Sequence, residues 1–355
     1  MGLFTRQELA IALISAPPNP RLGGADLSEL DLRGLDLDGA LMPFADLTRS
    51  LLQDTSLKEV NLTGALLCFA ELEGADLCGA QLEADLTSAN LTRALLDHAN
   101  LTRARLVDAN LSEASFVGAT LTSAVLQGAV FNGVDFSKAN LEGAELENSN
   151  LEGCKLDGTN LSGAALLGAN LAGVSLISAT LTATRMRGAQ LPKANLRAAE
   201  MTRCSLTEAN LEEAILERAK ARSAQFRRAR LSRASFKGAA LLEADFSGAI
   251  ATKARFHDAI LKGAKLEKAQ FSKARFPDAD LEGIEAPGID LRGADLSYCK
   301  LMDANLMGAN LEGATMQGAD LRSANLKNAK ITNLDLRYAN LNDAQLPERA
   351  RGVKR

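Results

Sequence analysis

A five-residue period runs through nearly the whole chain and limits what it can fold into. Residues 139–173 read ANLEG AELEN SNLEG CKLDG TNLSG AALLG ANLAG, with Leu at every fifth position. We call that position i. Small residues (Ala, Ser, Cys, Thr) fill i−2, i−1 is mostly polar, and Gly is common at i+2. A fixed period means an array, and an array overrides any estimate of domain number from length. Position i recurs 12 times from Leu27 to Leu82 and 53 times more from Leu86 to Leu346. Between Leu82 and Leu86 the step is four residues, the one register slip in the body, where a corner must tighten or a strand must bend.

In extended chain alternate side chains share a face, so i−2 and i point inward together and i−1 points outward. The chain must then turn at i+1 and i+2. The turn chemistry agrees: 25 of the 28 Gly stand at i+2, and all five Pro of the body (Pro43, Pro192, Pro277, Pro287, Pro347) stand at i+1. Pro at the first and Gly at the second central position is the signature of a type II turn. One repeat is therefore one side of a coil. Each buried Leu or Phe at i contributes about 1.5–3 kcal/mol. Ala221, Ala251 and Ala286 occupy i itself, so underfilled, softer coils are expected there.

The A-(D/N)-L-x-x pattern, as in ADLSE, ANLTR and ANLMG, resembles the pentapeptide-repeat proteins across roughly residues 22–348. The resemblance implies an all-β fold, a right-handed quadrilateral parallel β-helix with four repeats per coil, hence about 16 coils from 65 repeats. Residues 1–20 read as an N-terminal capping helix and a proline-rich connection, with Thr5 and Glu8 spaced for a capping box. The solenoid then spans 21–348 with its slip at 82–86, and residues 349–355 form a basic tail. The last coil offers an uncovered edge through which two copies could pair.

Chemistry is sparse. His98 and His257 lie far apart in sequence and read as solvated corner residues. No Ser-His-Asp set, paired Cys-x-x-Cys or phosphate loop can be assembled, so no catalytic residue, metal or cofactor is expected and the chain reads as no enzyme. Cys154, Cys204 and Cys299 stand at i−2 as small buried residues, while Cys68 and Cys78 stand outward at i+1. No apolar run reaches the ~20 residues of a membrane span, and no secretory leader is visible. The expected setting is a bacterial cytoplasm, with export as an effector left open.

The remaining signal is charge. Residues 22–85 carry 13 Asp and Glu against 3 Lys and Arg, a balance of −10. Residues 218–275 carry 15 Lys and Arg against 4 Asp and Glu, a balance of +11. With four repeats per coil, residues 20 apart stack. Arg233, Lys253 and Lys273 then form one corner column, and Arg255 and Arg275 form the next. This stripe is the candidate partner-binding site, with a solvated basic face as the plainer reading. The function expected is a rigid scaffold or adaptor that binds other proteins along its faces. Two alternatives rest on the resemblance: a DNA mimic that binds and protects DNA gyrase, and an effector or secretion-system accessory. Nucleic acid is disfavoured as a partner, because exposed aromatics do not interleave the basic stripe.

Overall fold

The period is realised as a coil that returns over itself every four repeats. In the computed structural model, which describes residues 5, 7, 8 and 19–348, residues at i−1 pair in parallel across 20 positions, as in Leu41 with Asn61 and Asn61 with Gln81. The chain divides into two compact units, Met1–Asn170 and Leu171–Arg355, and each is built this way.

Counting backbone N–H groups explains the repeat. In one coil of the first unit, Leu27 N donates to Asp46 O (2.7 Å), Glu29 N to Thr48 O (2.9 Å) and Asp46 N to Ala25 O (2.9 Å). Leu30 N closes the corner on Leu27 O at 3.4 Å. Positions i, i+2, i−1 and i−2 are thus satisfied by backbone, and only the N–H at i+1 is left over. The side chain at i−1 takes it: Asp26 Oδ1 accepts from Ser28 N at 3.2 Å, and Asn110 Oδ1 from Ser112 N at 3.1 Å. This Asx bond recurs along both units and is the physical reason for Asp or Asn before the central Leu. Pro at i+1 has no N–H to satisfy. The five repeats with Pro there accordingly carry Leu41, Gln190, Arg275, Glu285 and Gln345 at i−1, none of them Asp or Asn.

The left-handed backbone falls at i+2, as the turn type requires. All 25 Gly at i+2 have positive φ, and so do 40 other residues on the same five-residue grid. Gly34 has open space beside it, whereas at Gly64 (φ 72°) a Cβ would come within 2.5 Å of the Phe44 ring.

The slip at 82–86 tightens one corner, with the chain bending at Ala84. Ala84 N reaches back two residues to Leu82 O at 2.7 Å, a γ-type turn. Ala84 serves at once as the end of one corner and as the small inward residue of the next repeat, and it is buried. Four successive pairings there span 19 residues, from Leu66 with Asp85 to Gln81 with Asn100. From Asp85 with Arg105 the spacing returns to 20.

The core lies inside the coils. Leu, Phe and Met at i and Ala at i−2 are almost all fully buried. Several polar i−2 residues are accommodated by carbonyls: Thr55 Oγ1 donates to Leu32 O at 3.0 Å and Cys299 Sγ to Phe276 O at 2.9 Å, each one coil away, and Ser50 Oγ to Leu47 O at 2.7 Å within its own corner. Aromatic rings surround Ala221, Ala251 and Ala286, where underfilled coils are expected from the sequence. Each shares its coil with two Phe: 226 and 236, 246 and 256, 271 and 276. Phe226 stacks on Phe246 and Phe236 on Phe256, each at 4.7 Å, and Phe246 meets Phe256 edge-on at 6.1 Å. The rings bring extra volume into the coils where Ala stands at i.

At the N-terminus, Thr5 N donates to Glu8 Oε2 (2.9 Å) and Glu8 N to Thr5 Oγ1 (3.2 Å), the reciprocal bonds of a capping box. The rest of the expected capping helix, and the basic tail at 349–355, lie outside the described residues.

Candidate functional face

The second unit brings the five sequence-predicted cations together. Arg233, Lys253 and Lys273 occupy one corner on successive coils, their i+2 amides donating to Thr252 O, Ser272 O and Arg292 O. Arg255 pairs directly with Arg275 on the flat side next to that corner. All five are exposed.

Their neutralisation is uneven. Arg233 Nη1 lies 3.0 Å from Glu213, one coil earlier, and Arg275 Nε lies 3.9 Å from Asp295, one coil later. Among the described residues, Lys253, Lys273 and Arg255 have no carboxylate partner. Glu213 and Glu217 lie just before the basic segment, so the segment's own balance of +11 overstates the field it sets up. Exposed pairs of this kind contribute little stability and are weakened by salt.

Three further residues belong to this face. Ser235, Arg255 and Arg275 form its central column, and Lys237 and His257 line its far corner. Glu217, Ser235, Lys237, Arg255, His257 and Arg275 enclose a depression of about 230 Å³. The single carboxylate there is already engaged: Glu217 Oε2 meets Arg197 at 3.2 Å and Oε1 accepts from the buried Ser235 hydroxyl at 3.0 Å. His257 is half-buried, which corrects its reading as a solvated corner residue. Burial first, then the neighbouring Arg275, push its imidazole below the usual histidine range. Lys237 and His257 were legible at i+1, across the flat side from Arg233 and Lys253, had both corners of that side been read.

The frame also gives four aromatics outward i+2 addresses that hydropathy alone does not signal. Phe44 (72% exposed), Phe69, Tyr298 and Tyr338 project from corners with positive φ. Arg49 sits over the Phe69 ring at 5.7 Å. None of the four falls within 218–275, where all described Phe rings point inward.

The cysteines follow their addresses. Burial raises the thiols of Cys154 and Cys204 to about 12 and that of Cys299 further still. Burial, with Asp76 beside it, raises Cys78 to about 11. All five are free thiols. Among the described residues no helix is long and apolar enough to cross a membrane.

A four-sided parallel β-helix with small i−2 residues, a large apolar i residue and Asx-capped corners defines a class of repeat solenoid. The chain belongs to the pentapeptide repeat family, whose model matches it in eight copies from residue 45 to residue 343 (45–83, 84–122, 114–153, 154–191, 199–238, 239–276, 274–313 and 304–343). The coil is accordingly the right-handed quadrilateral β-helix of that family. Similar solved structures include HetL, a pentapeptide repeat protein involved in heterocyst differentiation regulation from the cyanobacterium Nostoc sp. strain PCC 7120. It is 23% identical over 98% of this chain and 99% of its own, with a TM-score of 0.21. QnrB1, a plasmid-mediated fluoroquinolone resistance protein, is 20% identical over 51% of this chain and 86% of its own, with a TM-score of 0.30. A pentapeptide repeat protein of the Arabidopsis thaliana thylakoid lumen is 29% identical over 36% of this chain and 77% of its own, with a TM-score of 0.14. No curated protein matches the chain.

Proposed function

We propose that this protein is a non-catalytic scaffold that docks an acidic protein surface on the basic face of its second unit. One observation carries the reading: Lys253, Lys273 and Arg255 stack with Arg233 and Arg275 on successive coils without carboxylates to match them. Like charges held at the strand spacing of ~4.8 Å repel, and an acidic partner relieves that repulsion. A repetitive rigid surface suits a partner with regularly spaced carboxylates.

The DNA-mimic alternative draws on the acidic excess of residues 22–85. Six of those carboxylates already have an intramolecular task. Asp26, Asp31, Asp36, Asp46, Asp76 and Asp85 each accept the turn amide two residues on. The fold thus accounts for an Asx oxygen at these six positions, a task that Asn performs equally well elsewhere, as at Asn110. A gyrase supercoiling assay, with and without a quinolone, separates the readings: docking through the basic face predicts no effect of this protein on either.

The direct test is affinity capture with the wild-type chain and with Arg233→Ser/Lys253→Ser/Lys273→Ser. Recovery of the acidic partner falls at least about tenfold if it docks on this face, since each lost charge contact weakens a polar interface by on the order of 1 kcal/mol. Equal recovery from both proteins would sink the docking reading.

A further inference from the structure

Building on the docking reading, we infer that the depression between Arg255, Arg275 and Lys237 is a phosphate-binding site, which takes a phosphorylated side chain of the partner.

The argument starts from what the depression lacks. Its one lining carboxylate, Glu217, is shared with Arg197 from outside and accepts from the Ser235 hydroxyl within, so its single charge falls short of the cations beside it. Lys237 and Arg255 have no acidic partner among the described residues, and Arg275 reaches Asp295 only at 3.9 Å. Three cations thus converge on about 230 Å³, room for a phosphoryl group and the carbon that carries it. A carboxylate brings one charge and two oxygens. A phosphate monoester brings nearly two charges and three acceptor oxygens, enough for both guanidiniums and the ammonium together. Guanidinium is also the side chain whose planar fork matches phosphate oxygens.

The scaffold fixes the geometry. Arg255 and Arg275 stem from directly paired residues on adjacent coils, so their side chains leave the same surface one strand spacing apart. Lys237 and His257 rise from the corner alongside. The adjoining column of Arg233, Lys253 and Lys273 continues the positive field along the face, which suits a phosphorylated segment flanked by acidic residues.

The chain supplies its own reporter, because it has only two histidines. His257 lines the depression, facing Arg275, Lys237, Asp258 and Asp295. His98 stands in the first unit and serves as the reference. The experiment follows the two imidazole Cε1–H signals of the full chain by NMR. It titrates inorganic phosphate, then a phosphoserine peptide, then the same peptide with Glu in place of phosphoserine, with sodium chloride at matched ionic strength as control.

Phosphate and the phosphopeptide should shift His257 saturably and raise its pKa, because a bound dianion offsets Arg275, while His98 stays put. Arg255→Ser/Arg275→Ser, at exposed positions, should weaken binding at least tenfold, and Lys237→Gln should weaken it less, with the circular dichroism of the fold unchanged. A His257 response no larger than that to sodium chloride, or one that survives the double substitution, overturns the site. If the Glu peptide binds as tightly as the phosphopeptide, phosphate recognition is overturned while docking of acidic segments stands. If neither peptide binds, both readings fall.

Discussion

At the scale of single residues, the inside of the coil is decided by volume and the outside by spare hydrogen-bonding groups. Ala251 illustrates the first. It lies at i between Phe246 and Phe256, whose rings meet edge-on at 6.1 Å, and it is fully buried. Were this coil underfilled, Ala251→Leu would fill a cavity and stabilise the protein. With the rings already sharing the space, the larger side chain must displace one of them, so the substitution should destabilise by about 1–3 kcal/mol. Urea denaturation of the two proteins decides between these outcomes by the direction of the midpoint shift. His257 illustrates the outside. Its address, i+1, is the same class of position as that of the exposed Lys237, yet it is half-buried and lines the same depression as Lys237 and Arg275 from the neighbouring coils. Address in the repeat tells which way a side chain starts, and the neighbours 20 residues away settle where it ends.

At the scale of the repeat, the unit of stability is a corner with one unmatched amide. Asn110 shows how much is gathered there. Its Oδ1 accepts from Ser112 N (3.1 Å) and from Ser112 Oγ (2.7 Å), and its amide donates to Thr92 Oγ1 at 2.9 Å. Asn110→Ala leaves the Ser112 N–H without its acceptor and should cost about 1–2 kcal/mol. Adding Ser112→Pro removes that N–H, at a position where five native Pro already show the backbone to be compatible. The double variant should therefore regain most of the lost stability, and thermal unfolding of the single and double variants measures the recovery. A double variant no more stable than Asn110→Ala would show that the amide is not what Asn110 serves. The corner also marks how far the sequence was legible. Period, inward and outward faces and turn positions follow from Gly, Pro and Leu spacing alone. The number of repeats per coil needed the family resemblance, since nothing in a five-residue period says how many sides close, and the 20-residue pairing supports it. The reason for Asp or Asn at i−1 was hidden for a different cause: the residue does point outward, but its oxygen turns back along its own chain, which polarity alone does not convey.

At the scale of the whole molecule, the net charge of −4 describes neither end of the chain. Column arithmetic placed Arg233, Lys253 and Lys273 on one corner and Arg255 with Arg275 beside them, because stacking depends only on spacing. The neutralising carboxylates lie on the same columns but outside residues 218–275, Glu213 one coil before Arg233 and Asp295 one coil after Arg275, so a charge count bounded by that segment does not include them. Glu200 and Glu212, which pair with Lys220 and Arg230, likewise lie outside it. What survives that pairing sets the behaviour in solution. An evenly charged protein of net −4 would be repelled by a cation exchanger at neutral pH. This chain should instead be held at low ionic strength by both exchanger types, through residues 22–85 on a quaternary ammonium resin and through the basic face on a sulfonate resin. Both interactions should yield as added salt shortens the Debye length from about 30 Å at 0.01 M to about 8 Å at 0.15 M. Arg233→Ser/Lys253→Ser/Lys273→Ser should elute from the sulfonate resin at clearly lower salt and leave the other interaction unchanged or stronger. Elution of the triple variant at the same salt as the wild type would place the exposed positive field elsewhere on the surface, and with it the face on which an acidic partner docks.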